Sequence, residues 1–195
     1  INANPIVDFM VADIAKNKRG NEDNYAYNGV PTLFRHKLAR VSVKAKLDDA
    51  YENKTINLTS VELTNIKTKG NYVNNNWMGQ GAPENIQVYN DASGLLLNKD
   101  AAIEIGTQKR IVMPQALAQD AYFKIKYNLT TTIAGGGTDT QLIEKDILIK
   151  NVTPAWYTNN DITYTLIISL GTNYIEFDTS VTDWVGYGNM DLTIE

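Results

Sequence analysis

Apolar and polar side chains alternate with a period of two along much of this chain, and that spacing limits its fold more than any other feature. In VSVKAKL (41–47), Val41, Val43, Ala45 and Leu47 share one side while Ser42, Lys44 and Lys46 take the other. AYFKIKYNL repeats the pattern with Ala121, Phe123, Ile125, Tyr127 and Leu129, and ITYTLIISL with Ile162, Tyr164, Leu166, Ile168 and Leu170. Only extended backbone sends successive side chains to opposite faces, so each stretch reads as a strand with one buried face. Ile167 interrupts the polar side of the last stretch, which predicts a central strand covered on both faces. Further strands are expected at 5–12, 56–66, 86–89, 94–97, 101–105, 109–113, 140–149, 174–178 and 189–194. No segment carries a helical period of useful length; PQALAQDAYF allows a single turn after Pro114. Many short strands with frequent turn residues predict an all-β sandwich.

Three stretches read as loops: 16–29 (KNKRGNEDNYAYNG), 67–85 around Trp77, and AGGGTD at 134–139, a hairpin tip. PIVDFMVADIA, ahead of the first loop, cannot form a core alone. It must pair with the sandwich or with something outside this chain. Residues 1–28 therefore read as an isolated strand and linker, and 29–195 as the sandwich domain. Within TLFRHKLARVSVKAKL the rhythm changes phase. Phe34, His36 and Leu38 are even, whereas Ala39 and the residues after it are odd. A phase change with no turn residue predicts a β-bulge, or a strand crossing between sheets, near 36–39, with both halves pointing inward.

Composition removes whole classes of chemistry. Net charge is −4 and pI about 5.1, so no broad basic face and no nucleic-acid partner is expected. Cysteine is absent, and His36 is the sole histidine. A nucleophilic triad or a histidine metal site lacks its partners, so His36 reads as structural, its ring nitrogens bonded to backbone or to a polar neighbour. Glu22, Asp23, Asp48, Asp49, Asp139, Asp161 and Asp183 read as solvated or turn-capping acids at strand ends and in loops, with no spaced calcium motif. Gly135–Gly137 join two strands and make no phosphate cradle. No enzyme activity, cofactor or metal is expected. No run of eighteen apolar residues predicts a membrane span, and INANPIVDF lacks the pattern of a signal peptide. Trp156 and Trp184 read as core or rim residues. Trp77 lies in a polar stretch; exposed, it would stack on a sugar ring. With Tyr72 and Tyr89 it supports an alternative reading as a carbohydrate-binding module.

Five elements, in order, resemble the fimbrillins of Bacteroidales, the type V pilin group that includes Mfa-like proteins. VDFMVADIAKNK is similar to the segment between the two domains of that family. LFRHKLARVSV resembles its F-x-H strand, carrying Phe34 and His36. IVMPQ resembles its apolar-Pro-Gln element, with Pro114 and Gln115. AWYTNNDITYTLIISL resembles its W…Y-x-Y segment at Trp156 and Tyr164, although Thr-Asn-Asn-Asp replaces the usual glycine loop and only one tyrosine is kept. YIEFDTSVTDW resembles the closing element that ends at Trp184. The resemblance implies a transthyretin-like Greek-key β-sandwich of about seven core strands plus extra hairpins, preceded by an N-terminal domain of which residues 1–28 are the remnant. It further implies lipoprotein export to the outer membrane, and fimbriae whose other subunits are the partners, with a surface glycan or protein as a possible target. Assembly would proceed by β-strand exchange, for which Ile6, Phe9 and Val11 near the start and Met190, Leu192 and Ile194 near the end are the expected interaction residues, the terminal strand being expected to pair within its own chain.

Overall fold

The parity of the long strands brings their apolar faces together between two sheets. The computed structural model describes residues 7–13, 33–106, 109–170 and 175–184. The first half of the chain contributes β1 (Met10–Ala12), β2 (Phe34–His36), β3 (Ala39–Leu47), β4 (Lys54–Lys67), β5 (Asn71–Val73), β6 (Asn76–Met78) and β7 (Pro83–Leu96). The second half contributes β8 (Ile103–Glu104), β9 (Arg110–Val112), β10 (Gln115–Ala116), β11 (Tyr122–Thr132), β12 (Thr138–Leu148), β13 (Ala155–Trp156), β14 (Asn160–Ile168) and β15 (Ile175–Asp183). One sheet runs β12-β11-β4-β7. The other runs β15-β14-β3-β8, with β9 also on β3. Three ribbons, β1-β2, β5-β6 and β10-β13, complete the described strands. The pairing of β3 with β14 is parallel; the other pairings are antiparallel.

Between the two sheets lies one core. β3 supplies Val41, Val43 and Ala45, β14 supplies Ile162, Tyr164, Leu166 and Ile168, and β4 and β11 supply Leu58, Leu63, Phe123 and Ile125, all buried. The aromatic groups tie the layers together. The Phe123 ring lies 5.1 Å from Tyr164, edge to face, and 5.3 Å from Phe177. Trp156 Nε1 donates to Tyr164 Oη over 2.8 Å, which satisfies the polar ends of two buried rings with one bond. Burial holds the Tyr164 phenol above its ordinary pKa.

Parity errors along the strands are absorbed in two ways. In β4 both Leu58 and Val61 are buried, three positions apart, which strict alternation forbids. The register against β11 slips there, Tyr127 facing Leu58 while Lys126 faces Ser60. Thr59 is the extra residue, and its hydroxyl donates to Lys126 O over 3.1 Å. At 36–39 the chain takes the other route. β2 ends at His36, Leu38 occupies a bend, and β3 begins at Ala39 in a different sheet. The phase change is therefore a strand break between sheets. Its two halves do not both point inward: His36 and Leu38 are buried, but Phe34 is half exposed because, among the described residues, β2 pairs only with β1.

Other expectations shift in detail. The loop at 67–85 contains the β5-β6 hairpin, and 86–89 and 94–97 are one bulged strand, β7, with three register slips against β4. The residues after Pro114 form β10 in place of a helical turn, because Gln115 and Ala116 pair with Trp156 and Ala155. The helical turn lies at Ile149–Asn151. β14 is central, as its sequence predicts, yet Ile167 is only half buried, since no layer of the described residues covers that face. β15 extends to Asp183, beyond the expected 174–178. The loop at 16–29 and the strand at 189–194 lie outside the described residues.

Truncating the aromatic contact between the sheets should be costly. Phe123→Ala is expected to lower unfolding free energy by about 3–5 kcal/mol, whereas Leu142→Ala, at an exposed position, should change it by less than about 0.5 kcal/mol. Urea unfolding followed by circular dichroism measures both.

Candidate functional site

The short ribbon at the start of the chain holds the largest concentration of unusual contacts. β1 lies antiparallel to β2, with Met10 opposite His36, Val11 opposite Arg35 and Ala12 opposite Phe34. Backbone bonds at either end extend the pairing: Asp13 N donates to Leu33 O over 2.8 Å, and Lys37 N to Phe9 O over 2.9 Å. Directly opposed residues share a face. Asp8, Met10, Phe34 and His36 therefore take one side of the ribbon, and Phe9, Val11 and Arg35 the other.

On the first side His36 is the hub. Its ring stacks on Trp184 with centroids 4.0 Å apart and planes 5° from parallel. Nδ1 lies 2.5 Å from Asp8 Oδ2, so the imidazole donates and the carboxylate accepts. The Arg40 guanidinium sits 4.9 Å from the centroid of the Trp184 ring, a cation–π contact. Arg40 also donates to Asp161 Oδ2, to which Lys109 Nζ approaches within 3.4 Å. Burial by itself would raise the Asp161 pKa, but the two cations prevail and hold the carboxyl below its ordinary value. Asp8 Oδ1, His36 Nε2, Arg40 Nε and Asp161 Oδ1 are buried and find no hydrogen-bond partner among the described residues. Asp161 is thus a paired, largely buried acid within β14, and not the solvated strand-end acid that its sequence context suggests.

On the second side, Phe9 packs edge-on against Tyr72 at 5.3 Å and Trp77 at 5.8 Å. Tyr72 and Trp77 face each other across the β5-β6 hairpin. Trp77 Nε1 donates to Lys37 O over 2.7 Å, which fixes the indole against the end of β2. Beneath this group, Leu38, Met113 and Trp184 form a second, smaller core against which Phe9, Trp77 and Ile111 rest. Further out, Arg35 Nε donates to both oxygens of Asp13 at 2.9 and 3.0 Å, and this bond holds the Asp13 carboxyl below its usual pKa.

The other marked residues fall into supporting places. Gln115 acts as a substitute strand: Oε1 accepts from Lys67 N at 3.0 Å, while Nε2 donates to Lys67 O at 3.0 Å and Met113 O at 3.1 Å. Pro114 O accepts from Gln80 Nε2 over 2.9 Å, so this element clamps the base of the hairpin that carries Trp77. Trp156 and Tyr164 lie in the main core. Tyr72 and Trp77 are neighbours and half buried, but Tyr89 packs against the main core from β7, so the three aromatics do not come together. Phe9 and Val11 lie on the ribbon; Ile6, Met190, Leu192 and Ile194 lie outside the described residues. Sequence reasoning missed Asp8, Arg40 and Asp161, whose pairings span 28 and 121 positions and leave no local trace. It also missed the β5-β6 hairpin, for which a signal existed. Asn74 and Asn75, between two short runs, adopt φ of 49° and 64°, the left-handed pair that a tight two-residue hairpin needs.

The sheet edges differ in chemistry. Lys145 of β12 stands opposite the buried Ile125, so an edge lysine faces inward, a device that blocks pairing with another strand. β7 is irregular, and its Gln87 and Val88 carbonyls accept from Arg110 at 2.8 and 3.3 Å. β15 carries Ile175, Phe177, Thr179 and Val181 on its inward side, and its outer edge has no partner strand among the described residues. No group of three or more metal-ligating side chains occurs among the described residues.

Comparison with known proteins places this architecture. The family model described as fimbrillin-like matches residues 2–184. Among solved structures, a fimbrial protein from Bacteroides vulgatus superposes with a TM-score of 0.64 at 18% identity, over 85% of this chain and 59% of that one. A candidate cell adhesion protein from Parabacteroides distasonis superposes with a TM-score of 0.53 at 14% identity, over 85% of this chain and 56% of that one. These likenesses show a shared fold, and the chain spans under two thirds of either protein. No curated protein matches it.

The Asp161 pairing yields a pH signature. A carboxyl whose pKa is depressed by folding stabilises the protein above its unfolded value of about 3.8, and that contribution is lost as pH falls through the lower folded value. Asp161→Asn should cost about 1.5–3 kcal/mol at pH 7. It should also flatten the decline of the urea midpoint below about pH 4, measured as unfolding curves from pH 2 to 7.

Proposed function

The chain belongs to the fimbrillin-like family, and from that premise we propose that it is a structural subunit or adhesin of bacterial cell-surface fimbriae, assembled by β-strand exchange between subunits. The observation that carries this reading is the family match across residues 2–184, nearly the whole chain. Residues 1–28 are the end of a preceding domain and its linker, and 29–195 are the C-terminal sandwich. The partners are other fimbrial subunits. The protein acts at the outer membrane surface after export as a lipoprotein, and it is not an enzyme.

The geometry supports assembly through extended backbone. β15 presents an outer edge with no partner strand among the described residues and no inward-side lysine, and an extended peptide adding there would pair with that edge and cover Val181, which is 50% exposed. Ile6, Phe9 and Val11 at one end and Met190, Leu192 and Ile194 at the other are the residues proposed to enter such pairings. Presentation of a sugar platform by Trp77, Tyr72 and Tyr89 has less support, since Phe9 packs against the first two and Tyr89 lies elsewhere.

Assembly of the full-length protein into heat-resistant ladders on gels tests the reading, and its absence at all concentrations counts against it. Val181→Lys places in β15 the inward edge charge that β12 already carries. The expected outcome is a several-fold loss of assembly while unfolding free energy changes by less than about 0.5 kcal/mol, read by sedimentation and by urea denaturation.

A further inference from the structure

We infer that the outer face of the β15-β14-β3 sheet is a self-complementary contact surface, and that its occupant is the same face of a second copy of the chain, related by a two-fold axis along β14. The inference goes beyond the strand pairing proposed above, because it uses the face of a sheet and no edge.

Alternation decides which residues reach that face. Val41, Val43, Ala45 and Leu47 of β3 and Ile162, Tyr164, Leu166 and Ile168 of β14 point into the core. Lys44, Lys46, Thr165 and Ile167 therefore point away from it. On β15, Ile175 is buried and Phe177 packs on the core, which turns Glu176 and Asp178 outward. The registers set these residues in rows. Lys44 stands beside Thr165, and Thr165 beside Asp178; Lys46 stands beside Ile167, and Ile167 beside Glu176. β3 is thus a column of cations, β15 a column of anions, and β14 a neutral strip between them. The neighbouring row, Ser42, Thr163 and Ser180, is small and hydroxylated, with Ser42 Oγ 3.0 Å from Thr163 Oγ1. The row beyond it is satisfied within the molecule, since Arg40 donates to Asp161. Lys44, Lys46, Glu176 and Asp178 make no ion pair among the described residues. Two strand spacings, about 9.5 Å, separate the two columns.

A second copy supplies the missing partners. A half-turn about an axis along β14 exchanges the cation and anion columns and leaves each row at its own height. Lys44 of one copy then faces Asp178 of the other, and Lys46 faces Glu176. Each pair occurs twice, as a two-fold contact requires. Thr165 and Ile167 lie on the axis and meet their own counterparts. Ile167 breaks the polar side of its strand, and this contact gives it the cover that the described residues do not. Facing sheets stand about 10 Å apart, a gap that a lysine and a carboxylate side chain close together. A half-turn about an axis across the strands would set lysine on lysine, so the charges select one arrangement. Glu104 of β8 flanks Lys44 from the far side and lies outside the matched columns. Three strands of 9 residues each give a face of about 14 by 30 Å, roughly half the usual share per partner of a stable complex. A single contact is therefore weak, and it strengthens where copies are held side by side.

Charge reversal tests the arrangement. K44E/K46E makes both columns acidic, and E176K/D178K makes both basic, so each variant repels itself. Sedimentation of the full chain at low salt, up to about millimolar concentration, should show a wild-type dimer and association at least tenfold weaker, on the order of a tenth or less, for each variant. An equimolar mixture of the two variants should recover dimers to within about threefold of wild type, because each acidic column then meets a basic one. Raising salt from about 0.05 to 0.5 M should weaken the wild-type dimer several-fold. Carbodiimide coupling of mixed isotope-labelled and unlabelled wild type needs no variant, and should join Lys44 to Asp178 across copies. A wild type that stays monomeric throughout, a variant that dimerises as wild type does, or coupling of these residues only within one copy overturns the proposal. Heat-resistant ladders report strand pairing and are scored separately, so failure of either reading leaves the other standing.

Discussion

The parallel pairing of β3 with β14 sets the position of nearly everything described above. It joins residues far apart in the chain at the centre of one sheet, so that Arg40 stands directly opposite Asp161. The same ladder continues past its formal end: Asn159 N donates to Leu38 O over 3.0 Å, and Trp184 N to Asn159 O over 2.6 Å. Three separate segments thereby meet at one corner of the sandwich. His36 can stack on Trp184 only because this ladder delivers the end of β15 to the start of β3. The docking place of the N-terminal strand is thus a consequence of how the body folds.

The molecule has two cores of unequal weight. The larger, between the sheets, is mainly aliphatic, with Phe123, Tyr164 and Phe177 in mutual ring contact and Tyr127 and Trp156 also buried in it. The smaller centres on Leu38, Met113 and Trp184 and draws its cover from Phe9, Trp77 and Ile111. Its polar neighbours are ionic and incompletely satisfied among the described residues. Such a region opens more readily than the main core, since fewer buried apolar contacts oppose the motion. Gln115 and Pro114 brace the hairpin from behind.

The strongest strands were legible because their alternation is strict. β3, β11 and β14 need no information beyond their own sequence, and the frequent turn residues point to an all-β sandwich. Legibility fails where parity is broken by design. The bulge at Thr59 lets Leu58 and Val61 both face inward, and no local rule marks Thr59 as the supernumerary residue. The bend at Leu38 is similar: the sequence shows that the phase changes, but the choice between bulge and strand break is made by which sheet offers a free edge. Of the ribbon site, Phe9, His36 and Trp184 stood out by residue type. Asp8, Arg40 and Asp161 did not, because a charged residue acquires its role from a partner that only the tertiary fold supplies. Phe34, although apolar, ends half exposed for the same reason, since nothing in its own segment determines whether a second layer lies above it.

The tip of the β11-β12 hairpin carries a different implication. Gly135, Gly136 and Gly137 all have φ between 94° and 103°, and a side-chain carbon built on any of them would meet nothing within 4 Å. Backbone conformation and two backbone bonds, Ile133 N to Gly137 O and Gly136 N to Ile133 O, constrain this apex; side-chain packing does not. A foreign peptide spliced between Gly135 and Gly137 would bring its own torsional freedom and displace no neighbour. Insertion at such a spot should have little effect on folding. It is a natural place to display an inserted epitope.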